Sequence, residues 1–148
     1  MRHWGSAPRW IACGYIIGFV EGMASHVNDE VRRGLHAYSA APLAFQVFFH
    51  ALLVLDPLVV VLIYRARPAG PVLAAAVMVL DVAANGWDQR HAVAAHPMDF
   101  LVPYGLLVQA LFMVFVLTMA RPLWITVRHP SPRLDGCRTL QDITRSRI

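Results

Sequence analysis

Leu43-Ala44-Phe45-Gln46-Val47-Phe48-Phe49-His50-Ala51-Leu52-Leu53-Val54-Leu55-Asp56-Pro57-Leu58-Val59-Val60-Val61-Leu62-Ile63-Tyr64 decides the fold. Its one formally charged side chain is Asp56. A helix crosses the hydrocarbon core of a bilayer with about 20 mostly apolar residues, and this run has that length. It cannot be an open strand, whose edge groups would go unpaired in lipid. Three further runs, residues 10–27, 71–87 and 100–120, have the same character. The expected fold is all-α: a polytopic membrane protein with four transmembrane helices in a bundle.

Composition agrees. The 148 residues are 57% hydrophobic and 15% charged, with a mean hydropathy of +0.51, whereas a soluble domain carries about 25% charge. A water-soluble enzyme, a secreted protein and a nucleic-acid partner are all disfavoured. Cys13 and Cys137 give no disulfide framework. Residues 10–27 read as a retained helix rather than a cleaved signal, because Glu21 breaks the apolar stretch.

All 13 basic residues are Arg, which with the abundant Ala and Val reads as the codon bias of a high-GC bacterial genome. Ten of them, Arg2, Arg9, Arg65, Arg67 and six from Arg121 onward, belong to one side of the membrane; Arg32, Arg33 and Arg90 belong to the other. The positive-inside rule then puts both termini in the cytoplasm, in a bacterial inner or plasma membrane. Arg67-Pro68-Ala69-Gly70-Pro71 reads as a tight connector. Residues 28–42 read as an outer loop, with a short turn at 29–34, and His91 and His96 fall in the second outer loop. Residues 1–128 form the membrane domain, and 129–148 are expected to be a polar, disordered tail.

Ionisable groups inside the spans carry the functional information, since each is costly in lipid and belongs in the bundle interior. Glu21 is followed by Ser25 and Asn28 on one face. Gln46 and His50 are one turn apart, and Asp56 precedes Pro57. Asp81, Asn85 and Asp88 form a stripe, and Gln109 has Phe112 as its neighbour. A desolvated carboxyl there could act as a general acid toward an apolar substrate. Plainer readings stand beside this one. Asp56 could serve the backbone groups that Pro57 frees, Gln46 and Gln109 could be interhelical hydrogen-bond glue, and Asp88, His91 and His96 could simply be solvated. No histidine pair has the H-x3-H spacing of a metal site, so neither metal nor cofactor is expected. Trp87, Tyr104 and Trp124 suit the membrane interface.

The ordered series of polar positions resembles the emopamil-binding protein family of sterol Δ8-Δ7 isomerases, within the EXPERA superfamily that includes the sigma-2 receptor. The likeness runs over residues 10–125. It comprises Phe19-Val20-Glu21-Gly22, Pro57, the turn Arg65-Ala66-Arg67-Pro68, Asp81-Val82, Asp88-Gln89-Arg90, His96-Pro97 and Gln109-Ala110-Leu111-Phe112. The resemblance implies a cavity in which acidic groups protonate a double bond, stabilise the cation and remove another proton. Glu21 matches the family's helix-one glutamate, Ile17 stands where the family has histidine, and His50 lies nearest its helix-two glutamate. Gln109 and Phe112 replace an Asn and a Trp.

The expectation is therefore a membrane isomerase or cyclase of an isoprenoid or sterol-like substrate, with Glu21, His50 and Asp81 catalytic. Ile17, Gln46, Asp56, Asn85, Tyr104, Gln109 and Phe112 would contact the substrate. The alternative is a lipid-binding module without chemistry. The partners are a lipophilic small molecule and the bilayer, with a homodimer left open.

Overall fold

A computed structural model describes residues 6–96, 98 and 105–128. Four helices follow in order: α1, Ser6–Arg33; α2, Leu43–Tyr64; α3, Ala69–Ala95; and α4, Leu106–Arg128, with one 3₁₀ turn at Gly34–His36. No strand occurs among the described residues. All four helices are long and apolar enough to cross a membrane, the architecture of an integral membrane protein.

Each helix packs on the next in sequence, and α4 closes back onto α1. The contact of Gly14 with Phe115, and of Gly18 with Phe112, makes α1 and α4 antiparallel. The α1–α4 seam interleaves glycines with aromatic rings. Phe112 lies T-shaped on Phe19 at 5.7 Å, and Phe115 on Tyr15 at 5.7 Å. Buried Tyr15 donates its hydroxyl to the Val116 carbonyl, giving the phenol the partner it needs away from water. On α2 the buried residues are Phe49, Leu52, Asp56, Val59 and Ile63, spaced three and four apart as for one face of a helix against its neighbours.

Three boundaries differ from the sequence reading. The first helix runs on to Arg33 instead of ending near residue 27, so only residues 34–42 remain between it and α2. Asn28 and Arg32 bond one turn apart, Arg32 Nε donating to Asn28 Oδ1 at 2.9 Å, and this holds the polar extension in helix. Gly34, at φ +61°, then terminates it, in the left-handed conformation that suits glycine after a helix. The third helix spans Ala69–Ala95, which places His91 in helix rather than in a loop. The fourth begins at Leu106 and passes through Arg121 and Pro122 to Arg128, because buried Leu123 continues its inner face. The expected tail at 129–148 and Tyr104 lie outside the described residues.

The turn between α2 and α3 closes α2 with paired bonds. Arg67 N–H donates to the Leu62 carbonyl at 2.9 Å and Ala66 N–H to Ile63 at 3.0 Å, the pattern that satisfies the last carbonyls of a helix. Ala66 takes φ +50° there without being glycine.

Candidate functional site

Two clusters of polar side chains occupy the bundle. The inner one draws on all four helices. Asp56 lies in the core-facing row of α2 and is 4% exposed; Asp81 lies in that of α3 and is 8% exposed. Asp56 faces α1 where that helix carries no side chain: a Cβ on Gly22 would stand 3.3 Å from Asp56 Oδ2. Asp81 is held through both oxygens. Asn85, one turn on, donates its amide to Oδ1 at 2.9 Å, and Gln109, in the first turn of α4, donates to Oδ2. Both carboxyls are buried, and charges interact more strongly in an apolar interior than in water. The centre therefore holds a rigidly oriented acceptor, Asp81, and a second carboxyl, Asp56, facing a gap left by glycine.

The second cluster sits toward the α1–α2 connection. His50 precedes Asp56 by six residues, about 9 Å along a helix axis. Its Nδ1 lies against Glu30 Oε1 of α1 as a charge contact that is not aligned as a hydrogen bond. Tyr38, from the connector, completes the group: its hydroxyl and His26 Nδ1 are 3.0 Å apart. Its ring packs on Phe49 at 4.7 Å and edge-on to His50 at 5.5 Å. Burial pushes the Tyr38 phenol well above its ordinary range, and the nearby acids Asp29, Glu30 and Asp81 add to this, with Arg33 opposing. No group of three metal-binding side chains occurs among the described residues.

The structure thus brings together Asp56, Asp81, Asn85 and Gln109. It does not bring Glu21 to them. Glu21 and Ile17 are exposed on the outside of α1, because the edge that packs inward carries Gly14, Gly18 and Gly22. A residue adjacent to Gly22 points about 100° away from it. His50 belongs to the second cluster. Gln46 donates to the Ala41 carbonyl at 2.8 Å and so fixes the connector. Phe112 fills the space over Gly18.

Sequence reasoning missed His26, Glu30 and Tyr38 as one group. The signal was present in His26 and Glu30, four residues apart, but only if α1 continues past residue 27. It also missed the Gly14-x3-Gly18-x3-Gly22 edge, which tells which side of α1 faces inward.

Comparison of the chain with protein-family models, with curated proteins and with solved structures finds no match. The resemblance to the emopamil-binding family therefore rests on the residues quoted above alone.

Proposed function

We propose that the bundle performs acid–base chemistry on a lipophilic isoprenoid or sterol-like molecule in a bacterial inner or plasma membrane, with both termini cytoplasmic. One observation carries this reading: two carboxyls are buried inside an apolar bundle, and two amides fix one of them. Asp56 is the proton donor and Asp81 the acceptor. Asp56 delivers its proton to one alkene carbon, leaving a cation at the other. Asp81 stabilises that cation and removes a proton from a neighbouring carbon, or after ring closure. Proton transfer between the two groups then restores the start. Gln109 and Asn85 position Asp81, and Phe112 offers an aromatic face to a passing cation. Glu21, exposed on α1, is not assigned a role in this chemistry.

A binding module remains the second reading, favoured by the same two amides. With both oxygens of Asp81 already accepting hydrogen bonds, Asp81 could anchor a ligand without moving a proton.

The test begins with lipid that co-purifies in mild detergent, identified by mass spectrometry, and measures its conversion in membranes made in D₂O. The parent protein should place deuterium at the protonated carbon. Asp56→Asn and Asp81→Asn should each slow conversion by about 10²–10⁴-fold while retaining the lipid. Unchanged turnover in Asp56→Asn removes it as the acid. Tight retention without conversion by the parent protein gives the site to the binding reading.

A further inference from the structure

The two ends of the bundle treat arginine differently. Glu30 near the end of α1 meets His50 near the start of α2, and Gly14 near the start of α1 meets Phe115. One end of the bundle therefore gathers the start of α1, the α2–α3 turn and the end of α4. It carries Arg9, Arg65, Arg67, Arg121 and Arg128, all exposed. No carboxylate accompanies them among the described residues. Asp29, Glu30 and Asp88 are toward the other end, and Glu21, Asp56 and Asp81 lie within the spans.

At that other end the chain answers its own cations. Arg32 Nε donates to Asn28 Oδ1 at 2.9 Å, and Arg90 donates to the Trp87 carbonyl. The acids Asp29, Glu30 and Asp88 balance Arg32, Arg33 and Arg90 in number. The five arginines of the first end have no such balance, and α4 arranges two of them around an indole. Arg121, Trp124 and Arg128 follow at spacings of three and four, which sets them on one face of the helix. The Arg128 guanidinium lies over the Trp124 ring at 4.1 Å. A cation on a ring face is attracted by the ring without giving up its N–H donors. The two arginines are about 10 Å apart along the axis, a distance that two such side chains span together.

We propose that Arg121, Trp124 and Arg128 form a headgroup site for an anionic phospholipid of the leaflet at that end, with Arg9, Arg65 and Arg67 adding to the attraction. Tryptophan favours the headgroup level of a bilayer, and a guanidinium takes a phosphate through two parallel hydrogen bonds. A zwitterionic lipid offers the same phosphate but brings an ammonium into a field of uncompensated cations, so the site selects by net charge. The bilayer itself holds the lipid beside the helix, an advantage that no soluble anion shares. The site depends neither on the chemistry at the bundle centre nor on which compartment this end faces.

The experiment uses the full chain, so that its own Asp135 and Asp142 compete for the arginines. Trp4→Phe, Trp10→Phe and Trp87→Phe leave Trp124 as the sole indole emitter. The protein is reconstituted in phosphatidylcholine vesicles, and phosphatidylglycerol or phosphatidylcholine brominated at the same chain positions is titrated in. Brominated phosphatidylglycerol should quench Trp124 at a mole fraction lower by about fivefold. Arg121→Gln combined with Arg128→Gln should make the two lipids quench nearly alike; both side chains are exposed, and circular dichroism checks that the helices persist. In the unsubstituted site, salt raised from about 0.1 M to about 1 M should shrink the preference, because the screening length falls from about 10 Å to about 3 Å. A chain that keeps only Trp87, at the balanced end, should show no preference. Equal quenching of Trp124 by both lipids overturns the proposal, as does a preference that survives the double Gln variant or high salt, or one of the same size at Trp87. Loss of the preference on adding millimolar glycerol phosphate would give the site to soluble anions and overturn it too.

Discussion

Gly18 has no side chain, and Phe112 uses the space. A Cβ built there would stand 2.1 Å from Phe112 Cζ and 2.4 Å from its Cε2, so the ring must leave. Forcing an extra carbon into a packed seam costs about 1–3 kcal/mol, more than the roughly 0.5–1 kcal/mol that alanine gains over glycine in a helix. Gly18→Ala should therefore lower stability by about 1–2 kcal/mol, read from unfolding in mixed micelles. Gly86 is the contrast, since a Cβ there meets nothing within 4 Å. Gly86→Ala should be neutral or mildly stabilising. Phe112→Leu should recover part of the Gly18→Ala loss; strict additivity of the two would mean that the ring and the glycine do not meet. At this scale the sequence was half legible. That Asp56, Asp81, Asn85 and Gln109 turn inward follows from their cost in lipid. Which way Glu21 points does not, because a side chain beside a glycine edge can face the bundle or turn away from it with the same periodicity.

Helix length and apolarity were legible in every one of the four elements, since a bilayer admits few alternatives to a helix of that length. The ends were not, because a polar extension beyond the membrane is held by short-range bonds rather than by hydrophobicity. Arg32 on Asn28 is such a bond, and Glu30 adds a charge contact to His50. In the connector from Gly34 to Pro42, Tyr38 bonds to His26 of α1 and packs on Phe49 of α2. Its phenol is raised above the ordinary 10.0 by burial and by neighbouring acids. The folded form therefore keeps the proton that the unfolded chain releases. Stability from this source is complete below pH 10 and is lost as pH rises beyond it. The ceiling is about 1.4 kcal/mol per pH unit, reduced by the partial solvent exposure of the ring. Thermal midpoints measured from about pH 8 to about pH 11 should fall in the parent protein. In Tyr38→Phe they should start lower, for loss of the His26 bond, and fall less steeply. Parallel curves would show that another group causes the alkaline loss.

At the scale of the whole molecule, the order of packing and the charge pattern constrain each other. Helices that neighbour in sequence also neighbour in space, and α4 returns to α1, so short connections make successive helices antiparallel. With four helices, Ser6 and Arg128 then share one end of the bundle, and the end of α1 and the start of α4 share the other. The orientation proposed above rests on arginine. Even restricting the count to residues near helix ends, Arg2, Arg9, Arg65, Arg67, Arg121 and Arg128 stand against Arg32, Arg33 and Arg90. That bias favours the termini in the cytoplasm, because translocating basic loops is disfavoured. Two pairs hold arginine where an interface would be: Arg90 lies over Trp87 at 4.2 Å, and Arg128 over Trp124 at 4.1 Å. They mark opposite ends of the bundle, the first at the end of α3 and the second at the end of α4. A reporter fused after Ile148 and another inserted beside His36 should therefore report opposite compartments, the first cytoplasmic. The same compartment for both would mean an even number of spans between them, and the polar centre would lose the helix that carries Asp56, Asp81 or Gln109. Opposite compartments with Ile148 outside would instead keep the bundle and invert it. The His26, Glu30, Tyr38 and His50 group would then face the cytoplasm.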